Sequence, residues 1–184
     1  MRFILIFGPH AVGKTTVGKE LARLTGMKLL SEHMTEELAE AYFERYTSAH
    51  KRLAQALNGQ IIESVLKNQS NDLIFTYTWP LNVPTERDYV ERITDKFRTA
   101  GAEIYYVELE APLEERIRRN RLKQETDNLE KSERQLKDAA ARFRLNALKS
   151  EIGEKNYTII KNSGISAEDA AEQIISVFKL PVVV

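Results

Sequence analysis

Gly8-Pro9-His10-Ala11-Val12-Gly13-Lys14-Thr15 stands directly after the apolar run Phe3-Ile4-Leu5-Ile6-Phe7. The octapeptide contains a glycine, four further residues and then glycine, lysine and threonine, which is the full template of a loop that binds phosphate groups. Its glycines allow backbone conformations that turn successive N–H groups toward one anion. The apolar run is typical of a strand buried on both faces of a sheet. We therefore expect the loop to connect such a strand to a helix.

Several residues of this loop have roles that follow from the chemistry of phosphate binding. We expect the Lys14 ammonium to reach the β- and γ-phosphates of a nucleotide and to act in catalysis, and the Thr15 hydroxyl to ligate magnesium. Thr16 can donate to the α-phosphate, while the helix that begins near Lys14 adds the positive end of its dipole. His10 is interpreted as a residue kept for space or backbone geometry, with a catalytic role as the alternative. The predicted nucleotide-binding residues of this segment are Gly8, His10, Ala11, Val12, Gly13, Lys14, Thr15 and Thr16.

Beyond the loop, strand and helix patterns alternate along the chain. Short apolar runs predict four further strands, at residues 27–30, 73–77, 104–107 and 157–160. Helices are predicted between them, with capping boxes at Thr85 with Asp88 and at Ser132 with Gln135. The helix that Ser132 opens is expected to run to about Glu151. This alternation predicts an α/β fold of three layers, in which a five-stranded parallel sheet is flanked by helices.

The length of 184 residues fits one domain of ordinary size, and no repeat or linker divides the chain. We expect a single domain over residues 1–184. Within it, residues 34–67 are predicted to form two helices that meet near Thr47-Ser48. The polar stretch at about residues 120–132 cannot bury much apolar surface and is predicted to act as a mobile lid.

Composition and charge exclude several functional classes. Lysine plus arginine balances aspartate plus glutamate at 27 each, so no overall field favours nucleic acid or a membrane. The chain has no cysteine, which excludes a disulfide framework, a thiolate zinc site and a cysteine nucleophile. No segment approaches the ~20 apolar residues of a membrane-spanning helix. We expect a cytoplasmic protein, a monomer or a homodimer, with neither membrane nor nucleic acid as a partner.

Two classes of phosphate-loop protein are disfavoured by the rest of the sequence. A guanine-reading Asn-Lys-x-Asp segment is absent, and the third predicted strand ends in Thr76-Tyr77-Thr78-Trp79 instead of the paired acidic residues of motor ATPases. With its loop, its strand order and an arginine-rich helix before a polar segment, the chain resembles the small P-loop kinase superfamily, which includes the shikimate, gluconate and adenylate kinases. The resemblance covers nearly the whole chain, and only the loop motif is highly specific. It implies ATP and Mg²⁺ as cofactors and a small-molecule acceptor of a phosphoryl group.

The resemblance also implies roles for an arginine cluster at residues 114–121. Family members similarly use arginines here to cover the nucleotide base and grip its phosphates. Arg119 and Arg121 are predicted to act in catalysis, and Arg116 and Arg119 to bind the nucleotide. The alternative is a solvated helix face, because Glu114 with Arg118 and Glu115 with Arg119 are spaced for surface ion pairs.

A carboxylate is expected at the end of the second strand, where related kinases bind or activate the acceptor, and Glu32 is the candidate for this catalytic role. It can accept the hydroxyl proton or orient magnesium through water. Alternatively, it is only a favourable charge at the start of the next helix. The acceptor site is predicted between residues 34–67 and Trp79, although Trp79 alternatively packs in the core. Arg45 and Arg52 could meet an anionic substrate there, and an uncharged acceptor remains open.

The leading hypothesis is therefore an ATP- and Mg²⁺-dependent small-molecule kinase. One alternative is a nucleotide-binding regulator that hydrolyses ATP slowly and uses the lid as a switch. Another is a kinase of polynucleotide ends, against which the balanced charge and the lack of a basic stripe both argue.

Overall fold

The computed structural model describes residues 1–45, 47–68, 72–123 and 129–183, and within them strands and helices alternate as predicted. The strands are β1 (Arg2–Phe7), β2 (Lys28–Ser31), β3 (Leu73–Tyr77), β4 (Glu103–Glu110) and β5 (Tyr157–Lys161). The helices are α1 (Lys14–Thr25), α2 (Glu32–Glu40), α3 (Ser48–Asn68), α4 (Pro84–Thr99), α5 (Leu113–Lys123), α6 (Leu129–Arg142) and α7 (Ala167–Phe178).

The five strands form one parallel sheet in the order β2-β3-β1-β4-β5. The central strand β1 is buried on both faces, which explains its uninterrupted apolar sequence. Phe3 and Phe7 pack on the face covered by α3 and α4, and Ile4 and Ile6 pack on the face covered by α1 and α7. The predicted three-layer α/β fold with five parallel strands is confirmed.

All five carboxyl ends lie at the same edge of this sheet because the strands are parallel. Ligands of open α/β sheets bind at this edge. The loop of residues 8–13 follows β1 there, Glu32 follows β2, Thr78 follows β3 and Asn162 follows β5. The topology therefore gathers polar residues that lie far apart in the sequence.

The two predicted capping boxes are wrong. Helix α4 begins at Pro84 with Val83 at its N-cap, because the proline ring presets the backbone angle of a first helical residue, so Thr85 lies inside the helix. Helix α6 begins at Leu129 and ends at Arg142 instead of running to Glu151. The Ser132 hydroxyl lies within α6 and pairs with the side-chain amide of Asn120 in α5, at 2.9 Å.

The helical stretch that was predicted to break near Thr47-Ser48 does so, since α2 ends at Glu40 and α3 begins at Ser48. At the predicted lid, α5 continues to Lys123 and α6 begins at Leu129, so both ends of the polar stretch are helical. Residues 124–128 of that lid lie outside the described residues, and its mobility stays a prediction.

A buried carboxylate joins β4 to the segment before β5. Glu108 has 0% exposure, and it accepts hydrogen bonds from Asn146 Nδ2 at 2.7 Å, from the Ala147 amide at 2.9 Å and from the Tyr157 hydroxyl at 2.5 Å. These bonds compensate the loss of hydration that burying a carboxylate entails. Glu108 therefore anchors the chain between α6 and β5.

The C-terminal segment packs on α1. Leu180 is buried, and the amide of Val183 donates to the carbonyl oxygen of Leu24 at 2.9 Å. The apolar side chain of Leu180 is thereby buried, while those of Val182 and Val183 remain exposed. None of the helices in the described ranges combines the length and apolar character that crossing a bilayer requires.

Candidate functional site

The loop between β1 and α1 wraps around the ammonium group of Lys14. Its Nζ donates to the carbonyl oxygens of Gly8 at 2.9 Å and Pro9 at 3.1 Å, and the side chain is buried. Gly13 is the N-cap of α1 in a left-handed conformation and has no side chain to bind the first N–H groups of the helix. These groups are left to an anion, and the helix dipole favours one at this position.

Two side chains from later in the chain, one on α5 and one just after β5, hold this loop in place. Arg119 Nη1 donates to the carbonyl oxygen of Val12 at 2.8 Å, and Asn162 Nδ2 donates to the same oxygen at 2.7 Å. Arg119 also donates from Nη2 to the Asn162 carbonyl at 2.7 Å. The conformation of the loop is thus coupled to α5 and to the end of β5. Sequence reasoning missed Asn162, although it is the polar residue that follows the fifth predicted strand.

A cavity of about 810 Å³ opens at the carboxyl ends of the strands, within the roughly 300–1,000 Å³ common for ligand pockets. Its walls come from the loop and α1, from α2, from the end of β3, from α5 and α6, and from the turn before α7. Eight residues predicted from the sequence line it: His10, Ala11, Gly13, Lys14, Thr15, Thr16, Glu32 and Arg119.

The other predicted residues lie around the cavity instead of lining it. Gly8 and Val12 are buried and contribute carbonyl oxygens to the bonds described above. Arg116 has 7% exposure and donates to the carbonyl oxygens of His10 and Ala111, both at 3.3 Å. Arg121 is exposed, and its guanidinium pairs with Glu133 of α6 at 2.7 Å. The structure brings Arg119 next to the loop and turns Arg121 toward α6.

Hydroxyl groups meet where α1 faces the end of β2. Thr15 Oγ1 and Ser31 Oγ are 3.0 Å apart, and Thr76 Oγ1 donates to Ser31 Oγ at 3.4 Å. Oxygen ligands of this kind suit Mg²⁺. In the part of the chain that the structure describes, no three His, Cys, Asp or Glu side chains are grouped as a metal site. A magnesium ion here would take most of its ligands from phosphate oxygens and water, with Thr15 as a protein ligand.

Glu32 lines the cavity at the start of α2. Its Oε2 accepts a hydrogen bond from the Thr78 amide at 2.7 Å, which joins the start of α2 to the end of β3. Burial, and the negative charge of Glu36 one helical turn further on, raise the pKa of Glu32. A carboxyl group with a raised pKa exchanges protons closer to neutral pH. Glu36 also lines the cavity, and its spacing of four residues from Glu32 is a signal that sequence reasoning missed.

The predicted acceptor region is only partly brought together. Thr76 and Thr78 line the cavity, as does Arg45, whose guanidinium pairs with Glu36 at 3.3 Å and with Glu40 at 3.1 Å. Trp79 is buried and packs edge to face on Phe7 at 5.2 Å, as the core-packing alternative expects. Arg52 is exposed on α3, outside the lining of the cavity.

His10 predicts a pH dependence of stability. Burial, with the positive charges of Lys14, Arg45 and Arg116, lowers the pKa of His10 to about 3. The unfolded chain has a histidine pKa of about 6.5, so it binds more protons than the folded chain between these values, and stability falls as the pH falls. Between pH 7.5 and 5, the His10 contribution to the free energy of unfolding should drop by about 2 kcal/mol.

Denaturant unfolding of the nucleotide-free protein at several pH values measures this effect. His10→Asn should reduce the change in the free energy of unfolding between pH 7.5 and 5. His33→Gln, at an exposed position on α2, should not reduce it. Parallel pH curves for the wild type and His10→Asn would contradict the assignment.

A protein-family model described as an AAA domain matches residues 3–146. This range covers more than half of the chain and includes the loop, Glu32 and the arginines of α5. The chain belongs to this AAA domain family. Asn162, which donates to the Val12 carbonyl of the loop, lies beyond the matched range. No curated protein matches the sequence.

Solved structures resemble this AAA-domain protein over nearly its whole length. Shikimate kinase from Acinetobacter baumannii in complex with shikimate is 20% identical with a TM-score of 0.59, covering 97% of this chain and 93% of that chain. APS kinase from Mycobacterium tuberculosis in complex with AMPPNP and APS is 14% identical with a TM-score of 0.62, covering 97% of each chain. The tunicamycin resistance protein of Deinococcus radiodurans is 19% identical with a TM-score of 0.56, covering 100% and 98% respectively. The family match and these likenesses establish a P-loop kinase-like fold.

Proposed function

We propose that this protein transfers the γ-phosphoryl group of ATP, with Mg²⁺, to a hydroxyl group of a small molecule. The observation that carries the proposal is that one cavity is lined both by Lys14 and Thr15 of the loop and by the Glu32 carboxylate. A phosphate loop alone would serve any nucleotide-binding protein. A carboxylate with a raised pKa in the same cavity adds a group that can act on a second reactant.

The similar structures support two reactants in such a fold. The APS kinase is described with both AMPPNP and APS bound, and the shikimate kinase with shikimate. At identities of 20% and 14%, these two likenesses do not specify which acceptor this chain would use. A single domain over residues 1–184, a cytoplasmic location and a monomeric or homodimeric state belong to the same proposal.

The residues of the cavity divide between the two reactants. Lys14 and the first N–H groups of α1 hold the phosphates and stabilise charge on the moving phosphoryl group. Arg119 keeps the Val12 carbonyl turned away from the phosphates and adds positive charge beside Gly13. Thr15 would hold magnesium, which neutralises phosphate charge when it is bound.

Glu32 acts on the acceptor. It accepts the proton of the attacking hydroxyl as a bond forms between that oxygen and the γ-phosphorus. The bond from the γ-phosphorus to the bridging oxygen breaks, and ADP leaves with its electron pair. The Thr78 amide, bound to Glu32 Oε2, orients the carboxylate for this step.

The proposal is tested by incubating the protein with γ-labelled ATP, magnesium and pools of small hydroxyl compounds. We expect label in a product other than inorganic phosphate in at least one pool. Hydrolysis that no pool alters would favour the regulator that hydrolyses ATP slowly, and label on an added oligonucleotide would favour the polynucleotide-end kinase. If ATP does not bind in the presence of magnesium, the proposal is wrong.

Arg119 and Arg121 provide a matched pair for the arginine cluster. Arg119→Ala should lower kcat/KM for ATP by about 10- to 100-fold, because it removes a cation and a loop contact from the cavity. Arg121→Ala removes the same charge from an exposed ion pair and should change kcat/KM by less than about twofold. Steady-state kinetics, with denaturant unfolding of both variants, separates catalysis from folding. A larger loss for Arg121→Ala would assign the phosphate contact to that residue.

A further inference from the structure

One end of the cavity carries a surplus of carboxylates. We call it the acceptor end and define it by the cavity-lining residues of α2, of the segment that follows α2 and of the end of β3. These residues are Glu32, His33, Glu36, Arg45, Thr76 and Thr78. It is the part of the cavity that contains Glu32 and none of the phosphate loop.

The two glutamates of this end lie on one face of α2. Glu32 and Glu36 are separated by one helical turn, so their side chains project in the same direction. Both line the cavity. Their mutual repulsion is one of the causes that raise the pKa of Glu32. The acceptor end thus concentrates negative charge in a place that is partly shielded from water.

The cation at this end is already engaged by carboxylates. Arg45 pairs with Glu36 at 3.3 Å through Nη2 and with Glu40 at 3.1 Å through Nε. One guanidinium charge is therefore shared between the carboxylates of Glu36 and Glu40, and Glu32 is a third carboxylate at this end. His33 is exposed. The Lys14 ammonium acts electrostatically on both Glu32 and Glu36, but it is held by carbonyl oxygens of the loop, where a bound triphosphate would take up its charge. With a triphosphate in place, the acceptor end is therefore negative even with Arg45 present.

We propose that the acceptor end admits hydroxyl compounds that carry no negative charge, and that Glu36 is the residue that excludes anions. This inference rests on the proposed phosphotransfer. An anionic acceptor would bring a like charge beside two glutamates and a bound triphosphate, in surroundings where screening is weaker than in water. A neutral hydroxyl compound instead offers donors to the carboxylates, and an amine offers a compensating charge. Arg45 serves to hold Glu36 and Glu40 together instead of binding substrate.

Probes anchored by the nucleotide test this without knowledge of the natural acceptor. Three ATP derivatives are esterified at the γ-phosphate with alkyl chains of equal length that end in a hydroxyl, an ammonium or a carboxylate group. Calorimetry with magnesium measures each dissociation constant. The carboxylate derivative should bind at least ~10-fold more weakly than the hydroxyl derivative, and the ammonium derivative at least as tightly.

Two isosteric variants assign the effect. Glu36→Gln should reduce the difference between the carboxylate and hydroxyl derivatives to less than about threefold, because it removes the like charge without changing the shape of the side chain. Glu37→Gln removes the same charge from the neighbouring exposed position of α2 and should leave the difference unchanged.

Each other result overturns the inference. Equal or tighter binding of the carboxylate derivative would show that the acceptor end accepts anions. An undiminished difference in Glu36→Gln would assign the exclusion to another residue. If ATP binds and none of the three derivatives does, the cavity does not continue past the γ-phosphate. Failure to bind ATP itself would instead overturn the proposed function on which the inference rests.

Discussion

Lys14→Ala is expected to lower the rate of phosphoryl transfer by at least ~1,000-fold. The ammonium group is buried in the loop and fixed by two carbonyl oxygens, so it is positioned before any phosphate arrives. A charge that is preorganised in this way stabilises the moving phosphoryl group at little cost in reorganisation.

The same substitution should leave the fold intact. Burial lowers the pKa of Lys14, so keeping this side chain charged costs free energy in the folded chain. We expect the removal of this cost to offset most of the loss of its two hydrogen bonds. Lys28→Ala, at an exposed position at the amino end of β2, is the matched control and should retain full activity. Single-turnover transfer rates and denaturant unfolding measure both variants. A Lys14→Ala rate above a tenth of the wild-type rate would place Lys14 outside the reaction.

Gly8→Ala is expected to lower the free energy of unfolding by about 3 kcal/mol. The residue has a φ of 142°, which a side chain rarely permits, and a Cβ there would lie 2.5 Å from the carbonyl oxygen of Leu109. That oxygen belongs to the backbone of β4 and cannot rotate away. The loop and the sheet would have to move apart, and the loss of stability reports this strain.

Gly59→Ala is the control for the loss of a glycine. Gly59 lies inside α3, and no described atom lies within 4 Å of the place that a Cβ would take, so alanine should raise the free energy of unfolding by about 0.5–1 kcal/mol. Denaturant unfolding should therefore give a lower free energy of unfolding for Gly8→Ala than for the wild type, and a higher one for Gly59→Ala. A Gly8→Ala protein as stable as the wild type would mean that the loop adopts another conformation.

The helix starts show where local patterns mislead. Ser132 and Gln135 have the spacing of a capping box, yet α6 begins three residues earlier, at Leu129. In the folded protein the Ser132 hydroxyl pairs with Asn120 across the contact between α5 and α6. At Ser166 the same kind of pattern does form a capping box, with Asp169. A capping pattern is therefore a preference that a tertiary contact can override.

The arginines of α5 show that local patterns are also insufficient to identify the residues of the site. Their number and position predicted a phosphate-binding cluster, but Arg119 and Arg121 are two residues apart and project from opposite sides of the helix. Only the rotation of α5 about its axis decides which one meets the loop. In the structure this is Arg119, which contacts Val12 and Asn162. Such a rotation is set by packing against α6 and by the contacts with the loop and Asn162, which a local pattern does not contain.

The sequence alone determined the phosphate loop, the alternating α/β order and the place of Glu32, since each depends on neighbouring residues or on the rule that parallel strands end at one edge. The tertiary structure decided the partners: Asn162 on a carbonyl 150 residues away, and Glu36 with Arg45 at the acceptor end. Local patterns encode conformation because backbone preferences act over a few residues. The partners depend on how helices pack on the sheet, and that is a property of the whole chain.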